Sequence, residues 1–179
     1  VNPPATIAGT HYDQFDVNGV LNLSGASLSF SGSTGTGAAN QLVTIFDNDL
    51  VEVTGAATNF AEGATVVING NTYRIYYGGG DGNDVVLVEA SPPSVVYVDN
   101  DFTGNTGQVI ADADLGTDLN QPAILGVTAF TTINAALAAV TTNGTIIVND
   151  GTYYEAVSLN NTRTLEITGA NTAQTVSIG

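Results

Sequence analysis

Apolar residues in the first half of the chain alternate with polar ones: Phe15 and Val17, Leu21 and Leu23, Leu28 and Phe30, Val51 and Val53. A period of two sends successive side chains to opposite faces and predicts short, half-buried strands. Residues 65–68 and 72–77 flank Asn69-Gly70-Asn71, turn chemistry that predicts a hairpin. Residues 85–88 form an unbroken apolar run, as expected of a strand covered on both faces. Residues 31–40, SGSTGTGAAN, are low in complexity and are expected to form a flexible loop. The period then changes. Phe130, Ile133, Leu137 and Val140 recur at three- and four-residue spacing among alanines and predict one face of a short helix. Strands are predicted beyond it at 145–148, 154–159, 165–168 and 175–178, divided by turn residues such as Asn143-Gly144, Asp150-Gly151 and Asn160-Asn161. Their centres recur about every ten residues, which suits triangular solenoid coils of roughly twenty residues. Fewer than two such coils precede Gly179, whereas a continuous solenoid core generally takes about three or more repeats. A longer chain or a second copy is expected to cover that end.

Pro92-Pro93, flanked by Ser91 and Ser94, marks the best boundary, because consecutive prolines favour extended chain and donate nothing to a ladder. Three segments follow: a β domain over 1–91, an acidic linker over 92–128, and a helix with the first solenoid coils over 129–179. The expected class is all-β in the main, with one short capping helix.

Two stretches resemble known families. The aromatic-Thr-Ile segment at 130–133, the Ala-rich helix, Gly-Thr-Ile-Ile-Val at 144–148 and Gly-Thr-Tyr-Tyr-Glu-Ala-Val at 151–157 resemble the opening of a pectin-lyase-like right-handed parallel β-helix. In that superfamily the helix caps the mouth of the solenoid. Tyr97-Val98-Asp99-Asn100-Asp101-Phe102 is similar to the segment that leads into such domains in large secreted bacterial surface proteins. The runs at 12–19, 21–28 and 76–87 resemble passenger repeats of autotransporters and other giant bacterial surface proteins, which are solenoid-like stalks or adhesive surfaces. The resemblances imply a structural or adhesive module of a fibre, adhesin or secreted matrix, extracellular or at the cell surface. The alternatives are the N-terminal part of a secreted polysaccharide lyase or hydrolase, or a carbohydrate-binding module. Fold alone does not choose between them.

Charge narrows the partners. Seventeen acids face only Arg74 and Arg163, for a net charge of −15, and lysine is absent. Nucleic acid needs Lys and Arg to displace counterions, and an anionic membrane surface needs the same, so neither is an expected partner. No apolar run approaches the length of a membrane span. Cysteine is absent, so no disulfide contributes. Val1 is not an initiator methionine, and the chain is expected to begin inside a longer precursor.

Asp112, Asp114, Gly116 and Asp118 form D-x-D-x-G-x-D, a spacing able to wrap carboxylates around Ca2+, with Asp99 and Asp101 completing the shell if the segment folds back. A solvated acidic loop explains the same residues. Residues 79–87 fit the Ca2+ nonapeptide G-G-x-G-x-D-x-U-x once, and a glycine turn feeding a strand is the favoured reading. Tyr73, Arg74, Tyr76 and Tyr77 are candidates for stacking on sugar rings, although alternation puts Tyr73 and Tyr77 on one face and Arg74 and Tyr76 on the other. His11 is the only histidine and no G-x-S-x-G is present, so no catalytic residue is assigned and the chain is expected not to be an enzyme. Terminal strands are expected to support a homopolymer, or contact with the rest of a longer parent chain.

Overall fold

The computed structural model describes residues 7–32, 38–49, 51–116 and 119–158, with 164–167 described by backbone alone. The fold is mainly β, with one helix and several open sheets among the described residues. It divides into two compact units: Val1–Ser91 with Asn105–Gln108, and Pro92–Gly104 with Val109–Gly179.

The first unit carries a five-stranded sheet in the order β1-β2-β5-β4-β3. These strands are β1 (Phe15–Val17), β2 (Leu42–Asn48), β3 (Thr65–Ile68), β4 (Asn71–Gly79) and β5 (Asp84–Glu89). β3 and β4 form the expected hairpin, Ile68 pairing with Asn71 across Asn69-Gly70. Both loop residues have positive φ, 49° and 83°, the backbone twist that suits a two-residue hairpin turn. β5 pairs antiparallel with both β2 and β4, and Val85, Val86, Leu87 and Val88 are all buried, which is why its run is continuously apolar. The core on one side of the sheet holds Val43, Ile45, Val66, Tyr73, Ile75, Val85 and Leu87 under Leu23.

β1 runs parallel to β2, Phe15 pairing with Phe46 and Val17 with Asn48. The parallel contact continues past the strands: Asn22 bridges Thr54, and the Thr58 N–H donates to Ala26 O. Residues 15–28 thus lie along residues 46–59 at an offset of 31 or 32 positions, and Phe15 stacks on Phe46 with ring centroids 5.4 Å apart. Phe15-Asp16 is echoed at the paired positions by Phe46-Asp47, and Leu23-Ser24-Gly25-Ala26 is echoed one or two positions out of that register by Val53-Thr54-Gly55-Ala56. This is a weak two-fold repeat.

The second unit is built on a parallel sheet in the order β11-β10-β6-β9. Its strands are β6 (Val95–Val98), β9 (Ala129–Phe130), β10 (Thr145–Val148) and β11 (Thr164–Ile167). Val96, Val98, Phe130, Ile146 and Val148 pack under α1 (Ile133–Ala139) with Ile133, Ala136, Val140 and Tyr153. A second cluster joins Ala113, Ala123, Leu125 and Ala129, with Tyr97 against it. It includes residues of the short antiparallel pair β7 (Val109–Ile110) and β8 (Ala123–Ile124). Alternate residues of β6, Val96 and Val98 against Tyr97, therefore feed the two clusters, as period two requires.

α1 is only seven residues long and has no acidic residue in its first turn. Thr132 caps it by accepting from the Ala135 N–H. Glu155 supplies the missing acid from outside the helix, accepting the Ile133 and Asn134 N–H groups at 2.8 and 2.9 Å.

Several expectations need correction. Phe130 packs with the helix face but belongs to β9, before the cap. No strand occupies 154–158, where the chain instead buries Tyr153 and aims Glu155 at the helix N-terminus. Leu21, Leu23, Leu28, Phe30 and Val53 line the core from extended segments held by isolated bridges and side-chain bonds. β2 is missed by simple alternation because a bulge between Thr44 and Phe46 changes its phase, so Phe46 follows Ile45 toward the core. Residues 33–37 of the expected loop and the expected strand at 175–178 lie outside the described residues.

Candidate functional site

The described acidic residues proposed for Ca2+ fall in the second unit, where Asp99 and the 112–114 segment meet at Asn149. Asp99 follows β6, Asn149 follows β10, and the β6–β10 register continues from Val98 paired with Val148 to set them side by side. The Asn149 Nδ2 donates to Asp99 Oδ2 at 3.3 Å and to Ala113 O at 2.9 Å. Asp99, Asp114 and Asn149 are all buried. Folding back does bring Asp99 toward the 112–114 segment, with the carboxamide between them.

The carboxylates already have chain donors. Asp99 Oδ1 accepts the Asp101 N–H at 2.9 Å, and Asp112 Oδ1 accepts the N–H groups of Asp114 and Gln121 at 3.3 Å each. Asp114 Oδ1 accepts the Gly116 N–H at 3.1 Å, and its Oδ2 accepts Gln121 Nε2 at 3.2 Å. The Tyr97 hydroxyl donates to Gln121 Oε1 at 2.7 Å, and burial, followed by the charges of Asp114 and Asp112, raises its pKa. Asp101 is exposed and accepts from Asn100 Nδ2 at 3.3 Å. Asp118 lies outside the described residues. Among the described residues no three of His, Cys, Asp and Glu converge as a metal-holding group. The short side-chain-to-backbone bonds are those of Asx turns, and the arrangement ties the 99–101 and 112–121 loops to the end of β10.

Tyr153 adjoins this cluster. Its hydroxyl lies within hydrogen-bonding distance of Asn149 O, at 3.2 Å, and Val98 O, at 3.4 Å. Its pKa is pushed up to about 12, by burial first and then by the Asp99 charge.

The tyrosines proposed for sugar contact are separated. Tyr73 belongs to the first unit's core and is 8% exposed, while Tyr76 is 5% exposed and follows Ile75 on the opposite face of β4. Tyr77 is half-buried; its hydroxyl donates to Phe60 O at 2.7 Å and accepts the Ala57 N–H at 3.1 Å. Arg74 is exposed and donates through Nη1 to Gly63 O at 3.1 Å. Burial raises the pKa of all three tyrosines. They do not form one exposed stacking platform. A cavity of about 490 Å³ does open in this unit, lined by His11, Tyr12, Phe15, Phe30, Phe46 and Tyr73 among others. Only Tyr73 of that aromatic set was singled out above, and the repeated Phe-Asp pair is the signal that leads to Phe15 and Phe46.

Comparisons of the chain with protein-family models, with curated proteins and with solved structures each return no match. No helix among the described residues is long and apolar enough to cross a membrane.

Proposed function

We propose that the chain is an extracellular structural and adhesive module, in which the second unit opens a right-handed parallel β-helix and the first is a solenoid-like passenger domain. The observation that carries this reading is the parallel pairing of β10 with β11 at a constant offset of 19 residues, from Thr145 with Thr164 to Val148 with Ile167. One circuit of about that length returning in register to its own flank is how a solenoid coil stacks, and the coil of roughly twenty residues expected from strand centres about ten residues apart agrees with it. The parallel contact of residues 15–28 with 46–59 adds a second stacked pair.

In this role the chain acts by surface and by continuation, without turnover. β11 stands at an end of the sheet order, and an exposed strand edge takes a further strand, from a longer parent chain or another copy. The acidic, lysine-free surface keeps such a module soluble by self-repulsion.

Sedimentation across a wide concentration range, with electron microscopy, tests the reading. The intact chain assembles end to end, and removal of residues 171–179 reduces assembly. A strictly monomeric chain at high concentration that releases unsaturated product from uronate polysaccharides would instead favour a lyase.

A further inference from the structure

The turn that closes the β4–β5 hairpin gathers hydrogen-bond acceptors for which the chain supplies too few donors. Asp84 opens β5 and is 6% exposed. Its Oδ1 accepts the Asn48 N–H at 2.9 Å, and the Asp81 backbone also bonds to the carboxylate. Gly80, at φ +62°, lies so close above it that a Cβ there would meet Asp84 Oδ2 at 1.9 Å. The turn is held in place from the other side, where Gln108 Nε2 donates to Asp81 O at 3.1 Å and the Gly80 N–H to Gly107 O at 3.1 Å. These residues all belong to the first unit.

Beside this carboxylate lie two carboxamide oxygens without a partner. Asn48 is fully buried, and its Oδ1 accepts nothing, although its Nδ2 donates to Val51 O. Asn83 Oδ1 is likewise buried and unpartnered. The β2–β5 register ends with Phe46 against Val85. Beyond that end Asn48 donates its backbone N–H to Asp84, and Asn83 directly precedes Asp84 in the chain, so both orphan oxygens belong to residues adjoining the buried carboxylate. An unsatisfied buried acceptor forfeits its hydration with nothing in return, and a native fold seldom leaves two together without a reason.

Charge points the same way. Burial, the largest effect, raises the Asp84 pKa; the Asn48 N–H bond opposes it, and the charges of Asp81 and Asp47 raise it further. Asp16 pairs directly with Asp47 on the next strand, with the neutral Gln14 amide donating to both, so like charges sit side by side. Arg74, the one Lys or Arg among the described residues, bonds to Gly63 O.

We infer that the Gly80–Asp84 turn and Asn48 form a Ca2+ site, with Asp84 Oδ2, Asn48 Oδ1 and Asn83 Oδ1 as its protein ligands and water filling the remaining positions. Hard cations take carboxylate and amide oxygens together, and Ca2+ accepts irregular geometry and mixed neutral donors more readily than Mg2+ does. The site is distinct from the Asp99, Asp112 and Asp114 cluster, which holds one orphan oxygen, Asn149 Oδ1, where this turn holds two. It joins β2 to the β4–β5 turn, so it fastens one stacked segment of the first unit to the antiparallel hairpin.

Calorimetric titration of the intact, EDTA-treated chain with Ca2+, and separately with Mg2+, measures binding, and thermal unfolding in each condition measures its consequence. The expected result is one Ca2+ bound, with a rise in Tm of about 5–10 °C at one hundred times Kd. Asp84→Asn separates a ligand from a merely structural carboxylate. It removes the buried charge while keeping an acceptor and adding a donor for the orphan oxygens, so Tm without Ca2+ rises while the Ca2+ response disappears. Asn48→Ala weakens binding at least tenfold. The inference is overturned if neither ion binds, if Ca2+ binding survives Asp84→Asn, or if Asp112→Ala abolishes binding while Asp84→Asn leaves it intact.

Discussion

The two units stack chain on chain by different means. In the first, a parallel contact at an offset of 31 or 32 residues gives way, across a bulge in β2, to an antiparallel meander closed by Asn69-Gly70. In the second, all the pairs of the four-stranded sheet are parallel. Antiparallel neighbours need only a two-residue turn, whereas parallel neighbours need a crossover of a dozen residues or more. The parallel sheet consequently depends on what its crossovers bring: α1 and Tyr153 to one cluster, and the 109–125 segment to the other. Polar loops end on those strands as well, through the cluster at Asp99 and Asn149. Each unit leaves buried carboxamide oxygens unpartnered, Asn48 and Asn83 Oδ1 near one turn of the first and Asn149 Oδ1 in the second.

Truncation of one core side chain in each unit should produce the largest effects. Ile75 and Ile146 are both fully buried, so Ile75→Ala and Ile146→Ala each cost about 2–5 kcal/mol in denaturant unfolding. A loss below about 1 kcal/mol at Ile146 would mean that the parallel sheet is not a packed core.

The next effect is largest in the second unit. Because the folded pKa of Tyr153 is raised from 10.0 to about 12, the folded state favours the neutral phenol. Its contribution is intact below pH 10 and is lost as pH rises toward 12, by on the order of 2–3 kcal/mol for a rise of about two pKa units. Tyr153→Phe reduces this alkaline loss, leaving the part that the other buried tyrosines contribute, as a pH series of unfolding curves would show. A wild-type profile that stays flat over that range would contradict the burial assigned to the hydroxyl.

Asn149→Ala withdraws the donor shared by Asp99 Oδ2 and Ala113 O, leaving buried acceptors unpaired, and costs about 2 kcal/mol. Amide exchange should quicken at Asp101 and Gln121, whose N–H groups are held by carboxylates of the same cluster. Unchanged protection there would show that the loops are fastened independently of Asn149. The smallest effect is Glu155→Gln at the helix N-terminus, about 1 kcal/mol, because the amide keeps one acceptor oxygen but loses the charge favoured there.

What could be read directly from residues was local. The Asn69-Gly70 hairpin, the continuous β5 and the apolar face of α1 each depend on neighbours a few positions apart, and period or turn chemistry exposes them. β6 has no such signal: Val95, Val96, Tyr97 and Val98 say nothing of a partner 50 residues onward, since Thr145 pairs with Val95 by tertiary contact alone. Glu155 reads as one more surface acid until its bonds to Ile133 and Asn134 are known. The D-x-D-x-G-x-D spacing points to an acidic loop, and as far as Gly116 its side chains bond to the backbone two residues on. It does not reveal that Asn149 and Gln121 provide side-chain donors to it, because neither residue belongs to the motif.

The offset between β10 and β11 underlies the whole account, and the absence of native cysteine makes it directly measurable. Paired strands lie about 4.8 Å apart, within reach of a disulfide. Thr145→Cys combined with Thr164→Cys, oxidised under mild conditions, should cross-link rapidly within one chain. Thr145→Cys combined with Leu165→Cys should cross-link far more slowly, because a one-residue slip sends the second side chain to the other face. Equal rates for the two pairs, or cross-linking only between chains, would contradict the 19-residue coil.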